Sequence, residues 1–144
     1  MFKYFAIITF FLTFNLSAEI VQKLEVRGNS RVSDETIKVY GEIKLNEDYS
    51  NIDINNILKN LYKTDFFEDI QISLDSGVLN ITVKEYASIN SISLVGEKST
   101  TIKKKVLEQL KLQQKESFIE SKLTEDLNGI KKIYASMGFN FATV

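Results

Sequence analysis

Residues 61–83 read LYKTDFFEDIQISLDSGVLNITV, and this stretch decides the fold. After Phe66 and Phe67, apolar and polar residues alternate up to the turn residues Asp75-Ser76-Gly77, and the alternation then resumes as far as Val83. Alternation with a period of two on both sides of a short turn predicts a β-hairpin in which each strand has one apolar face. The sheet is therefore expected to pack against the rest of the chain on one side only.

The residues before this hairpin predict a strand and two helices. An alternating pattern at 20–28 predicts a strand whose buried face is shared by Ile20, Leu24 and Val26. Ser33 is placed to cap a first helix, which carries Ile37, Tyr40 and Ile43. A second helix follows the capping residues Ser50 and Asp53 and carries, at the spacing of one helix face, Ile54, Ile57, Leu58 and Leu61. The order strand, helix, helix, strand, strand predicts an α+β fold with two helices on one face of a three-stranded mixed sheet.

The same pattern occurs a second time in the chain. Residues 21–28 align with residues 89–96, which lie 68 positions later, and residues 61–67 align with residues 133–139, which lie 72 positions later. The second copy is expected to have a strand at 89–96, two helices, and the start of another strand at 139–144. The apolar residues of its helices are Ile102, Val106, Leu107, Leu110, Leu123, Leu127, Ile130 and Tyr134. Projection from the first copy places the final strand of the module beyond residue 144, so we predict a second module that lacks its last strand.

The first 18 residues have the pattern of an export signal. Lys3 is followed by an apolar run as far as Phe14, and small residues end the segment at Ala18. This order of regions predicts a secretory signal peptide that is cleaved after Ala18, with a retained membrane anchor or a buried core helix as the alternatives. The predicted organisation is a signal peptide at 1–18, a first repeat at 19–87 and a second repeat at 88–144.

The composition excludes several kinds of chemistry. The chain contains no His and no Cys, so zinc sites with the usual ligands, disulfides and His-dependent nucleophiles are excluded. The net charge of −1 gives no reason to expect nucleic-acid binding. The basic run at 103–105 is explained by a solvated helix face, with a lipid headgroup as the alternative partner. Neighbouring carboxylates do not converge on one point, so we expect no enzyme activity, no catalytic residues, no metal and no cofactor.

Two stretches resemble a known family. Residues 61–70 (LYKTDFFEDI) and 83–96 (VKEYASINSISLVG) are similar to the polypeptide-transport-associated (POTRA) repeats of the outer-membrane protein assembly factor BamA family. The second copy keeps the family's Gly at Gly138. Three positions depart from the family pattern: Asp65 replaces a Gly, Ala87 replaces a Pro and Glu97 replaces an Asn. The resemblance covers residues 19–144 and implies tandem modules of the order β-α-α-β-β.

The resemblance also implies a function. It suggests a periplasmic scaffold of outer-membrane β-barrel protein assembly, located at the periplasmic face of the bacterial outer membrane. The expected partners are unfolded outer-membrane proteins and accessory assembly lipoproteins, and membrane association would come from a carboxy-terminal β-barrel that is absent from this chain. The chain would then be an amino-terminal fragment or a shortened product. The alternatives are an FtsQ-like cell-division scaffold and the POTRA region of a two-partner-secretion or TamA-type transporter.

The resemblance places the binding site on the first strand of the hairpin. This strand, with residues Ile70, Gln71, Ile72, Ser73 and Leu74, would be the edge of the sheet and would pair with an extended partner through its backbone. A plain structural strand with a solvated edge is the alternative. Phe66 is a candidate binding aromatic, although a core position between the helix end and the sheet is the simpler explanation. We expect proline at Gln71 or Ser73, whichever N–H points outward, to weaken the pairing.

Overall fold

The computed structural model describes residues 19–144 and contains five strands and four helices within that range. The predicted signal peptide and the predicted cleavage after Ala18 lie outside the described residues. In chain order the elements are β1 (Glu19–Val21), β2 (Lys23–Arg27), α1 (Asp34–Tyr40), β3 (Glu47–Tyr49), α2 (Asn51–Tyr62), β4 (Phe67–Asp75), β5 (Val78–Glu85), α3 (Thr100–Leu107) and α4 (Glu120–Ser136).

The main sheet has three strands in the order β2-β5-β4. The hairpin strands β4 and β5 are antiparallel, whereas β2 runs parallel to β5, so the sheet is mixed as predicted. The hairpin turn consists of Ser76 and Gly77, whose φ angles of 52° and 78° are both positive. Two positive φ angles in a two-residue turn match the right-handed twist of the strands that it connects.

Both helices of the first repeat begin where the sequence predicts. The Ser33 side chain accepts a hydrogen bond from the Thr36 N–H at the start of α1. At the start of α2, Ser50 and Asp53 form a reciprocal capping box that satisfies two N–H groups of the first turn. The two helices pack on one face of the sheet, so the predicted fold class is confirmed.

The core lies between these helices and the sheet. Its fully buried side chains come from both layers, and each contributes roughly 1.5–3 kcal/mol of hydrophobic stabilisation on transfer from water. The largest of them in the first repeat are Phe67, Ile37, Leu61, Leu79, Ile81 and Val21. Ile43, which was predicted on α1, follows the end of the helix but is buried in the same cluster.

The predicted amino-terminal strand is divided in two. It breaks at Gln22, where the Gln22 and Lys23 N–H groups both donate to the Gly77 carbonyl, at 2.8 and 3.1 Å. Because of this break, β1 pairs with the short strand β3 in a separate sheet, and the buried side chain is Val21 rather than Ile20, which is 48% exposed. The prediction of one continuous strand with Ile20 on its buried face is therefore wrong.

The second repeat has its two predicted helices, α3 and α4, but residues 88–144 contain no paired strand apart from an isolated bridge between Ser88 and Ser117. The strands predicted at 89–96 and 139–144 are therefore wrong for this structure. In the first repeat β2 pairs with β5, whereas within the described range the backbone at 89–96 has no strand beside it. Phe141 is accordingly 98% exposed.

None of the helices within residues 19–144 combines the length and the apolar character that crossing a membrane requires.

Candidate functional site

The hairpin strand β4 lies at an edge of the main sheet. It pairs with β5 on one side, and within residues 19–144 no strand pairs with its other side. All five residues of the predicted site lie on β4. Ile70 is buried and Ile72 and Leu74 are partly buried, whereas Gln71 and Ser73 are exposed. The strand therefore has its apolar face on the core and a polar face toward solvent.

The backbone groups that point outward from β4 follow from its register. Asp75 and Val78 flank the two-residue turn, which makes them a hydrogen-bonded pair of the antiparallel ladder. Hydrogen-bonded and open pairs alternate along such a ladder, so the N–H groups of Ser73 and Gln71 also point toward β5. Those of Leu74, Ile72 and Ile70 point outward. The geometry at Ile70 agrees, because its N–H donates to the Tyr62 hydroxyl at 3.2 Å rather than to β5.

Two outward N–H groups are open. Within residues 19–144 the N–H groups of Ile72 and Leu74 meet no acceptor, whereas that of Ile70 is occupied by Tyr62. The expectation that Gln71 or Ser73 presents an outward N–H is wrong, because both donate into the hairpin. The exposed side chains and the open backbone groups thus belong to alternate residues of one strand.

We call residues 69–75 of β4 the open strip, and Phe66 lies apart from it. Its ring packs edge-to-face against Tyr40 and Phe67, with centroid distances of 5.7 and 6.1 Å. The partly buried side chain lines a cavity of about 320 Å³ together with Arg31, Thr64, Asp65, Lys115, Glu116, Ser117 and Lys122. The structure therefore does not bring Phe66 together with residues 70–74, and its role as a binding aromatic stays a prediction.

The edge strand is acidic. Its nine residues include Glu68, Asp69 and Asp75 and no basic residue. Lys84 on β5 contacts Glu68 at 2.7 Å, and this hydrogen bond and ion pair raise the pKa of Lys84. A single cation on the neighbouring strand thus faces two carboxylates at one end of β4, and Asp75 adds a further negative charge at the other end.

Glu85 on β5 binds the turn between β2 and α1, and no sequence pattern predicted a role for this residue. The Glu85 carboxylate accepts hydrogen bonds from the N–H groups of Ser30, Arg31 and Val32, at 2.8, 3.0 and 3.0 Å. Its side chain is only 7% exposed and also contacts the Arg31 guanidinium at 3.2 Å. Burial by itself raises the pKa of Glu85, but the three backbone donors and Arg31 outweigh burial and hold that pKa below its usual range.

Gly28 allows the backbone at the end of β2 to approach β5 closely. A Cβ atom at this position would lie 2.1 Å from the Val83 carbonyl oxygen, and the φ angle is +84°. The contact of Gly28 with β5 could not be predicted from the sequence, because Val83 lies far along the chain. These contacts keep β2 and β5 in register, and β5 in turn carries the edge strand.

The described part of the chain has no cluster of three or more carboxylates that could hold a metal ion. The open edge can form main-chain hydrogen bonds, and its exposed side chains add charge and polarity.

Comparison with known proteins identifies the repeat. The family model of POTRA, described as "Surface antigen variable number repeat", matches residues 87–144. The outer membrane protein assembly factor BamA of Neisseria meningitidis is 31% identical over 120 residues, and BamA of Neorickettsia risticii is 24% identical over 88 residues. The chain carries POTRA repeats of the BamA family.

Solved POTRA structures have the same tandem fold. POTRA1-2 of the periplasmic domain of Omp85 from Anabaena superposes with a TM-score of 0.52 and 12% identity, covering 89% of this chain and 86% of that chain. The N-terminal domain of Omp85 from Thermosynechococcus elongatus gives a TM-score of 0.54 and 16% identity, covering 82% of this chain and 51% of that chain. The present POTRA chain corresponds to 15% of the length of the Neisseria BamA and 12% of the Neorickettsia BamA.

Proposed function

We propose that this POTRA chain is a periplasmic scaffold module that binds extended segments of unfolded outer-membrane proteins by adding them as a strand next to β4. The observation that carries the proposal is the pair of outward N–H groups at Ile72 and Leu74. Relatives named as outer-membrane protein assembly factors support the choice of client.

The mode of binding suits clients of many sequences. Main-chain hydrogen bonds depend little on the side chains of the added strand, so one edge can accept different segments. Each bond contributes about 0.5–1.5 kcal/mol net, and ordering the client offsets part of that gain. The complex is therefore weak and short-lived, as a module that passes its client onward requires.

The location and further partners are parts of the same proposal. We infer that the first repeat comprises residues 19–87 and the second residues 88–144, that the signal is removed after Ala18, and that accessory lipoproteins dock on the repeats. The first core cluster, which is confined to residues between Val21 and Val83, and the family match that begins at residue 87 support these boundaries.

The processed amino terminus separates this proposal from an anchored cell-division scaffold. We expect mass spectrometry of the exported protein to give a chain that starts at Glu19, because the polar residues before Ala18 end the apolar run after too few residues for a membrane span. Retention of residues 1–18 in the membrane fraction would favour the anchored alternative.

Proline at Leu74 tests the binding edge. Leu74→Pro removes one of the two open N–H groups and places a ring beside the added strand, while the hydrogen bonds of the hairpin remain. We expect its affinity for a peptide from a transmembrane strand of an outer-membrane protein to fall about fivefold or more, which corresponds to about 1 kcal/mol. Titration of the ¹⁵N-labelled protein by NMR measures this, and in the parent protein the peptide should shift the amides of Ile72 and Leu74.

Two control variants separate binding from folding. Leu74→Ala loses the same apolar side chain but keeps the outward N–H, so it should bind the peptide nearly as well as the parent protein. Ser73→Pro removes an N–H that points toward β5, so it should disturb the hairpin spectrum even without peptide. Equal affinities for Leu74→Pro and Leu74→Ala would show that the peptide does not bind at the β4 edge.

A further inference from the structure

We infer from the charges of β4 that its edge selects short amphipathic segments with a basic residue at each end. This inference rests on the proposed function and adds the chemistry of the client. Both ends of the open strip are acidic, through Asp69 at one end and Asp75 at the other, and the two side chains lie on the same solvent-exposed face.

The structure limits the length of the strip. At its beginning, the Tyr62 hydroxyl already accepts the Ile70 N–H, so the first N–H available to a client is that of Ile72. At its end, the strand stops at Asp75, where the turn begins. A client strand can therefore lie alongside the seven residues 69–75 and form its hydrogen bonds from Ile72 onward, a length within the usual range for a strand in globular proteins.

The register of the strip fixes which client residues meet the charges. Residues on one face of a strand recur every second position, so client residues opposite Asp69 and Asp75 stand six positions apart on the solvent face. The client residues between them that face the core side lie beside Ile70, Ile72 and Leu74, which favours apolar side chains there. Cross-strand neighbours of opposite charge stabilise such a pair, and neighbours of like charge destabilise it.

The surroundings do not cancel this acidic character. Lys84 lies opposite Asp69 and pairs with Glu68, so one cation stands against two carboxylates and this end of the strip keeps a net negative charge. At the other end, the Glu19 carboxylate accepts the Gly77 N–H at the turn and adds another negative charge. The basic residues of β2, Lys23 and Arg27, contact Glu25 on the far edge of the sheet, three strand spacings from the client position. Three strand spacings are roughly 14 Å, which exceeds the screening length of about 8 Å at physiological ionic strength.

A second copy of the chain fits the edge poorly. Antiparallel pairing of β4 with itself about Ile72 would place Asp69 of each copy opposite Asp75 of the other, at both ends of the strip. Like charges directly opposite each other are destabilising. The acidic ends therefore select a basic partner strand and reject the edge of another copy.

Three matched peptides test the inference: KVTVTVK, QVTVTVQ and EVTVTVE, each with blocked termini. We expect the lysine peptide to bind about tenfold more tightly than the glutamate peptide in 50 mM salt, with the glutamine peptide between them, because two attractive pairs replace two repulsive ones. The preference should shrink in 500 mM salt, where the screening length is only a few ångströms. NMR titration of the labelled protein gives the three dissociation constants.

Two double variants test whether Asp69 and Asp75 cause the preference for the lysine peptide. Asp69→Asn with Asp75→Asn should bind the three peptides with nearly equal affinity. Glu47→Gln with Asp48→Asn changes the net charge equally, but it lies on β3 in the other sheet and should retain the preference. Equal binding of all three peptides to the parent protein, still weakened by Leu74→Pro, would overturn the charge inference and leave the proposed function standing. Absence of binding by every peptide, or dimerisation of the protein through β4, would overturn both.

Discussion

Replacement of Gly28 by alanine is expected to destabilise the protein by about 3 kcal/mol or more, which is among the larger effects of single substitutions. The new Cβ would lie 2.1 Å from the Val83 carbonyl oxygen, far inside van der Waals contact. Because this oxygen belongs to the backbone of β5, relief of the clash requires β2 to move away from the strand with which it pairs. Urea unfolding followed by circular dichroism measures the change in the free energy of unfolding.

Gly96 provides the matched control. Its φ angle of +92° is similar to the +84° of Gly28, but a Cβ added there meets nothing within 4 Å. Gly96→Ala therefore reports the conformational strain alone, about 1–2 kcal/mol for a positive φ. The excess loss in Gly28→Ala measures the contact between the two strands. Equal losses in the two variants would mean that Gly28 is required only for its backbone angle.

Replacement of Glu85 by glutamine is expected to cost about 2–3 kcal/mol at pH 7, because a buried carboxylate with three backbone donors is replaced by a group with a single acceptor oxygen. The cost should depend on pH. The pKa of Glu85 is lower in the folded protein than in the unfolded chain, so its contribution is fully present above the unfolded value, near 4.5. That contribution is lost as the pH falls through the folded pKa.

Denaturant unfolding of the parent protein and of Glu85→Gln at pH 7 and at pH 3 measures this dependence. The difference between the two proteins should be large at pH 7 and smaller at pH 3. Glu25→Gln is the control, since Glu25 also contacts two basic residues but lies on the exposed face of β2, where an ion pair contributes little. A difference between the parent protein and Glu85→Gln that stays constant with pH would contradict the role of the Glu85 charge.

Gly28 and Glu85 act on the proposed binding edge only indirectly. Both hold the turn after β2 against β5, and β5 carries the edge strand β4 through the hairpin. The contacts of Gly28 and Glu85 do not involve the open N–H groups of Ile72 and Leu74. Conservative changes at either residue are therefore expected to reduce stability more than intrinsic affinity for a client.

Local patterns in the sequence were sufficient for both helices and the hairpin of the first repeat and for both helices of the second. The caps at Ser33 and Ser50, the apolar spacing in α2 and the alternation around Ser76-Gly77 all depend on residues within a few positions of each other. The duplication could be recognised for the same reason, because each of the aligned stretches is itself a local pattern. The resemblance then indicated that β4 is the edge strand, and the sheet order places it there.

Tertiary structure decided what depends on partners far along the chain. The break at Gln22 arises from the Gly77 carbonyl, the outward direction of the Ile72 and Leu74 N–H groups follows from the register with β5, and Glu85 finds its donors more than 50 residues away. The strands predicted in the second repeat did not form. Alternation of apolar and polar residues predicts the two faces of a strand, but it does not predict which other strand will pair with it. The sequence by itself thus determined which segments can become helices and strands, and only the tertiary pairing determined which backbone groups remain open, since each hydrogen bond depends on the position of a second strand.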